Sequence, residues 1–327
     1  MNLRLPTRLH TAQGPPRRVG VELEMNGLTI DELSRIVADS LTLTVTPEGR
    51  YERKLLGDAA GEWGVELDFH LLKKLGREKR DKNTLSGELG DSVEEVLKWL
   101  AETLVPLELV SPPLPMARLT EVETLIHHLR AAGAKGTSDR LVNAFGMQFN
   151  PEVPDESTDT IIAYLKAFVC LYEWLYVRAD INLSRQVTNY IDPYPKAYVR
   201  TLLRADYWPE QNRLIDDYLT HNPSRNRALD MLPLFAHLDE ARVRRTVDDP
   251  LIKARPTLHY RLPDCEIHRS DWSLSQAWND WVAVEELAAD TQRLRECCKA
   301  YYDFLADPLD RWFGDWSKQL EARWLAR

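Results

Sequence analysis

The chain has 327 residues, of which 44% are hydrophobic, with ten Trp, twelve Tyr and a formal net charge of −9. This composition supports a sizeable core and excludes a disordered polymer, and the acidic balance leaves no overall electrostatic footprint for nucleic acid. Four cysteines, Cys170, Cys265, Cys297 and Cys298, follow neither a zinc spacing nor a disulfide framework, so they read as reduced thiols of a cytoplasmic protein.

Residues 1–16 are basic and irregular, without an apolar run long enough for a secretory signal, and form an arm ahead of a single domain over 17–327. "RRVGVELEM" (17–25) reads as a strand with Val19, Val21, Leu23 and Met25 on one face and Glu22 and Glu24 on the other, because strand side chains alternate. A capping box of Thr29 and Glu32 opens a helix over "TIDELSRIVADSL". Short strands follow at 42–46 and in "GVELDFH" (64–70), where Val65, Leu67 and Phe69 oppose Glu66, Asp68 and His70. Residues 77–91 read as a polar loop. Asp91 with Glu94 marks a second helix, and Thr120 with Glu123 marks a third that Gly133 stops. His127 and His128 ride on that third helix in surface or packing roles. Between these two helices lies "PLELVSPPL" (106–114), a strand carrying Glu108 and ended by Ser111, Pro112 and Pro113. In "FGMQFN" (145–150), Phe145, Met147 and Phe149 oppose Gln148 and Asn150.

The second half is mostly helical. The apolar run 161–177 is interrupted by Lys166 and Glu173 and is short for a bilayer, so it reads as a buried helix and no membrane span is predicted. Arg185 lies beside a Pro-punctuated turn, where a structural role is favoured. Arg225, Asn226 and Arg227 sit in a loop before an apolar segment, and an anion-binding loop and surface salt bridging stand as equal readings. The chain returns to strand at "RPTLHYRLPDCEI" (255–267), where Leu258, Tyr260 and Leu262 oppose Thr257, His259 and Arg261. A long helix starts near Trp272, and Trp272, Trp278 and Trp281 read as core or subunit packing.

Several strands thus share a chemical bias, with one apolar face and one face of carboxylate, amide, imidazole and guanidinium groups. A plain solvated face would carry more Lys and Thr. Glu22, Glu24 and Glu108 are hard oxygen donors suited to Mg2+ or Mn2+, and carboxylates so close repel unless a cation sits among them. Arg261 could meet charge on a phosphoryl group in transfer. The chain has no phosphate-binding Gly-rich Lys loop and no dinucleotide fingerprint, so a nucleotide would be held through metal and side chains.

Four segments in order, "GVELEM", "LELVSPPL", "GMQFNPE" and "HYRLPDCEI", resemble the amidoligases of the carboxylate-amine ligase superfamily, which includes glutamine synthetase and glutamate-cysteine ligase. The resemblance runs from about Arg17 to His268. It implies an α+β fold whose curved antiparallel sheet, of the glutamine synthetase type, carries helices on its convex face and holds ATP and divalent metals on its concave face. It implies an ATP-dependent joining of a small-molecule or peptide carboxylate to an amine. Glu22 and Glu24 resemble the first-strand metal ligands, and Glu108 a further ligand with a catalytic share. Gln148 and Asn150 stand where relatives often carry His-x-His or a similar polar pair, and are assigned with Arg225 and Arg227 to cofactor binding. His259 stands where a Glu-x-Arg pair is common, is placed beside the metals, and precedes Arg261, which matches the Arg. These departures imply that one metal site is weaker.

The implied chemistry is attack of a carboxylate on the γ-phosphorus of ATP, then capture of the acyl phosphate by an amine. Little covalent work falls to the protein, which fits a chain without an evident Ser-His-Asp or Cys-His nucleophile. A metal-dependent phosphoesterase and a catalytically silent nucleotide- or partner-binding regulator are the alternatives. No nucleic-acid or membrane partner is expected, and homo-oligomerisation is left open.

Overall fold

The opening strand, β1 (Arg18–Met25), lies in the interior of a nine-stranded sheet. The computed structural model describes residues 2–67, 106–136, 146–180, 191–307 and 314–325. The other strands are β2 (Thr44–Pro47), β3 (Glu52–Leu56), β4 (Trp63–Leu67), β5 (Leu107–Val110), β6 (Leu114–Pro115), β7 (Met147–Pro151), β8 (Leu229–Asp230) and β9 (His259–Tyr260). They are ordered β2-β3-β4-β5-β1-β7-β9-β8, with β6 pairing onto β1, and every pair of named strands is antiparallel. The alternation read in β1 holds. Val19, Val21, Leu23 and Met25 are at most 2% exposed, while Glu22 and Glu24 remain half-buried on the other face.

Ten helices lie among the described residues. α1 (Ile30–Leu41) starts with the capping box the sequence predicts: Thr29 accepts from the Glu32 N–H while Glu32 reaches back to the Thr29 N–H. The box predicted for α2 (Leu119–Ala131) does not form. A 3-10 turn at Met116–Arg118 runs straight into this helix, so Thr120 is already inside it, and Glu123 instead accepts from the N–H and hydroxyl of Ser275. Gly133, with φ +98°, follows α2 as the predicted stop.

α3 (Thr158–Arg178) corrects the expectation that its apolar run is too short for a bilayer. By length and composition it could cross one, yet 72% of its apolar window is buried inside the protein. After α4 (Lys196–Leu203), α5 (Gln211–His221), α6 (Leu232–Leu238) and α7 (Glu240–Thr246) comes α8 (Leu274–Ala289), which packs along α3. Together they meet the apolar side of the sheet: Phe149 of β7 sets its ring against Trp278, and Tyr260 of β9 contacts Trp281 and Phe168. Trp278 and Trp281 are fully buried, in the packing role predicted for them. α9 (Thr291–Ala306) and α10 (Trp316–Leu320), extended by one π turn at Glu321–Leu325, complete the described chain.

The N-terminal arm is tied to α8, since Arg4 O accepts from the Trp278 indole and Arg4 N donates to Asn279 Oδ1. Deeper in, the fully buried Arg17 donates to both Glu285 oxygens at 2.9 Å, and Tyr164 and Trp281 also donate to this carboxylate. A buried charge pair of this kind costs desolvation, but removing one partner leaves the other uncompensated. Glu285→Gln keeps the shape and loses the charge. It is expected to destabilise the fold by about 2 kcal/mol, read by denaturant unfolding; an unchanged midpoint would show that the pair is not a net contributor.

Three strands went unpredicted. β3 is a charged stretch near the sheet edge, β6 is two residues that pair with β1 just after Pro112 and Pro113, and β8 is only two residues long at the start of the apolar segment that follows the Arg225–Arg227 loop. The helix predicted from Asp91, the polar loop 77–91, the positions Asp68, Phe69, His70 and Phe145, and Arg185 lie outside the described residues.

Candidate functional site

Cross-strand register places four carboxylates in one row. Glu52 of β3 pairs with Glu66 of β4, Glu66 with Glu108 of β5, and Glu108 with Glu24 of β1. Opposed residues on neighbouring strands point to the same face with Cβ atoms about 5 Å apart, so the row is a line of like charges across the face opposite the buried Val19, Val21, Leu23 and Met25. Like charges directly opposite repel unless positive charge or donors are placed among them.

Next to this row, on β1, stands Glu22, and beyond it the chemistry changes sign. Asn150 of β7 donates to Glu22 Oε1 at 2.7 Å, while Glu24 accepts from the Gln148 amide at 3.1 Å and from the Gly146 N–H at 2.7 Å. The other end of Asn150 faces the opposite way: its Oδ1 accepts from Arg255 at 2.6 Å and from His259 Nδ1 at 2.6 Å. With Nδ1–H donating there, the close approach of Arg255 to the same nitrogen, 3.2 Å, is a contact between two donors. β9 pairs His259 with Asp230 of β8, and the charges of Arg225, Arg255 and Arg261 act on both residues. Arg261 donates to the Arg225 carbonyl at 2.7 Å, and Arg225 itself lies 3.6 Å from Asp249. One sheet face is therefore divided into a carboxylate half and a guanidinium half, joined through Asn150 and Gln148.

Burial first, and then the three arginines, hold the His259 imidazole well below its ordinary 6.5. Burial pushes the Asp230 carboxyl up to about 6, against the Leu232 N–H and the same arginines. His259 is therefore neutral near pH 7. Below pH 6.5 the unfolded chain takes up a proton that folded His259 refuses, so its contribution to stability is present above 6.5 and is lost as pH falls. His259→Gln removes that loss. Between pH 6.5 and 5 the parent is expected to lose about 1–2 kcal/mol more unfolding free energy than the variant; parallel losses in denaturant titrations would contradict this.

His259, expected beside the metals, is set against Asn150 and feels the charges of Arg225, Arg255 and Arg261. Arg227, expected with Arg225 in cofactor binding, donates to the Pro193 and His221 carbonyls. The donor chemistry of Glu22, Glu24, Glu66 and Glu108 fits a hard divalent ion. As placed, no group of three or more His, Cys, Asp or Glu side chains is gathered to hold a metal among the described residues.

Arg255 and Asp230 escaped the sequence reading. Arg255 precedes Pro256, outside the alternating run, and its position four residues before His259 was the only signal. Asp230 is a single acid in "ALDMLPLF". Compared with known proteins, residues 15–283 match a family model described as "Putative amidoligase enzyme". No curated protein and no solved structure matches the chain.

Proposed function

The chain belongs to the amidoligase family, and from that premise we propose that it is an ATP-dependent carboxylate-amine ligase whose sheet is of the glutamine synthetase type. The observation that carries this reading is the division of one sheet face into acidic and basic halves that share Asn150. A phosphoryl transfer needs both: hard oxygen donors for a divalent cation, and fixed positive charge where phosphoryl oxygens gain negative charge.

Glu22, Glu24 and Glu108, with Glu66 beside them, would hold Mg2+ or Mn2+. Such an ion would supply Lewis-acid withdrawal of charge from a phosphoryl group. Arg261, Arg255 and Arg225 meet the γ-phosphoryl group with planar forks that stay charged at any working pH. Asn150 fixes the tautomer of His259 through its Oδ1, leaving Nε2 as the acceptor nitrogen of a neutral ring. Asn150 holds Glu22 through Oε1, while Gln148 and the Gly146 N–H hold Glu24 through Oε1 and Oε2, so both carboxylates are set at fixed angles. A small-molecule or peptide carboxylate attacks the γ-phosphorus, ADP leaves, and an amine displaces phosphate from the acyl phosphate to form an amide. The reaction takes place in the cytoplasm on this account.

Hydroxylamine tests the reading, because it captures an acyl phosphate as a hydroxamate. With Mg2+, ATP and a panel of amino-acid and peptide carboxylates, hydroxamate is expected to form in step with ADP. ADP release that ignores both carboxylate and hydroxylamine would favour a phosphoesterase, and no turnover with any acid would favour a silent binder.

A further inference from the structure

Away from the sheet's polar face, α3, the end of α4 and α9 enclose a cavity of about 330 Å³, lined among others by Lys166, Trp208, Arg295, Cys298, Lys299 and Tyr302. Its surroundings are cationic in a chain whose net charge is −9. Lys166 is the residue that interrupts the apolar run of α3. It is 2% exposed and donates to the Leu202 carbonyl and, at 3.1 Å, to the Arg204 carbonyl, with its ammonium 5.1 Å from the Trp208 ring. Cys298, on the cavity wall, has its sulfur 3.6 Å from that of Cys170, which lies on α3 behind it.

We propose that Cys298 is a hydroperoxide-reactive thiol and Cys170 its resolving partner, so that a small hydroperoxide entering this cavity drives formation of a Cys170–Cys298 disulfide. Three features support it. The cavity brings a small oxidant to Cys298. The hydrogen bond from Cys170, and after it the charge of Lys166, hold the Cys298 thiol below its usual range against burial. The second sulfur needs to close only from 3.6 Å to the bonded distance of about 2.05 Å. Cys265 is the internal contrast, since burial pushes its thiol well up.

The Cys298 thiolate attacks the distal oxygen of ROOH, the O–O bond breaks, and ROH leaves after protonation, giving a sulfenic acid. The Cys170 sulfur then attacks Cys298, its proton goes to the departing hydroxyl, and water leaves. In sum, two thiols and one hydroperoxide give one disulfide, one alcohol (or water, where the oxidant is hydrogen peroxide) and one water. The inference is independent of the ligase reading.

The test uses the full reduced chain with stoichiometric hydrogen peroxide, thiol counting and peptide mass mapping. Two of the four thiols should disappear together in a Cys170–Cys298 cross-link, at least about tenfold faster than Cys265 reacts. In Cys170→Ser, dimedone should trap a sulfenic acid on Cys298. Because that variant alters the core, the parent is also alkylated with iodoacetamide across pH, where Cys298 should titrate below the free-thiol value of about 8.5. Retention of all four thiols, a Cys170–Cys297 bond instead (Cys297 also hydrogen-bonds Cys170), equal oxidation of Cys265, or a Cys298 midpoint above the free-thiol value would overturn the proposal.

Discussion

Glu24→Gln is expected to lower metal-dependent ATP turnover on the order of 1000-fold while leaving the fold intact. Glu24 sits opposite Glu108 in the carboxylate row, so the substitution takes away a hard donor when an ion is to be held. Gln keeps the size and an acceptor oxygen for the Gly146 N–H, at the cost of the bond from the Gln148 amide. Thermal unfolding in EDTA should show a Tm for the variant close to that of the parent, and addition of Mg2+ with nucleotide should raise Tm in the parent alone. A structural carboxylate would behave the opposite way, losing Tm on substitution and leaving turnover within a few-fold of the parent.

The second large effect is expected at Arg261. Arg261→Lys should reduce turnover about 100- to 1000-fold, the scale of losing one donor aimed at transition-state charge. Lysine can still reach the Arg225 carbonyl with one N–H, and the backbone bond from Arg261 N to Ala228 O is untouched, so folding should be preserved. What is lost is the planar fork. The reduction should fall on kcat, with KM for ATP nearly unchanged, since the interaction strengthens as the phosphoryl group leaves its nucleotide. If kcat stays within a few-fold while Tm drops, Arg261 is an architectural tie for the Arg225 loop.

Much of this site could be read before any coordinates, for a specific reason. Period-two alternation in β1, β4, β5 and β7 assigns each side chain to a face, and that is why Glu22, Glu24, Glu108, Gln148 and Asn150 were seen to share one. Alternation says nothing about which strands are neighbours. The row Glu52–Glu66–Glu108–Glu24 depends on the order β3-β4-β5-β1, and nothing local in the sequence shows that the strand of His259 lies across β7 from β1, with the charges of three arginines acting on it. β3 was missed because a strand close to the sheet edge can stay charged, as Glu52, Arg53 and Lys54 are. Arg255 was missed because it reaches Asn150 from outside any strand. At Thr120 the local capping pattern lost to a tertiary partner: Ser275 captures the Glu123 carboxylate that the pattern needed.

The central claim is that the acidic and basic halves of this face act on one phosphoryl group. A crystal structure of the chain with Mg2+ and a non-hydrolysable ATP analogue tests it most directly. The account predicts the γ-phosphate between the Glu24–Glu108 carboxylates and the Arg255–Arg261 guanidiniums, with the ion on the carboxylate side. Nucleotide bound elsewhere, for example against Trp208 in the helical cavity, with the sheet face unengaged, would contradict it.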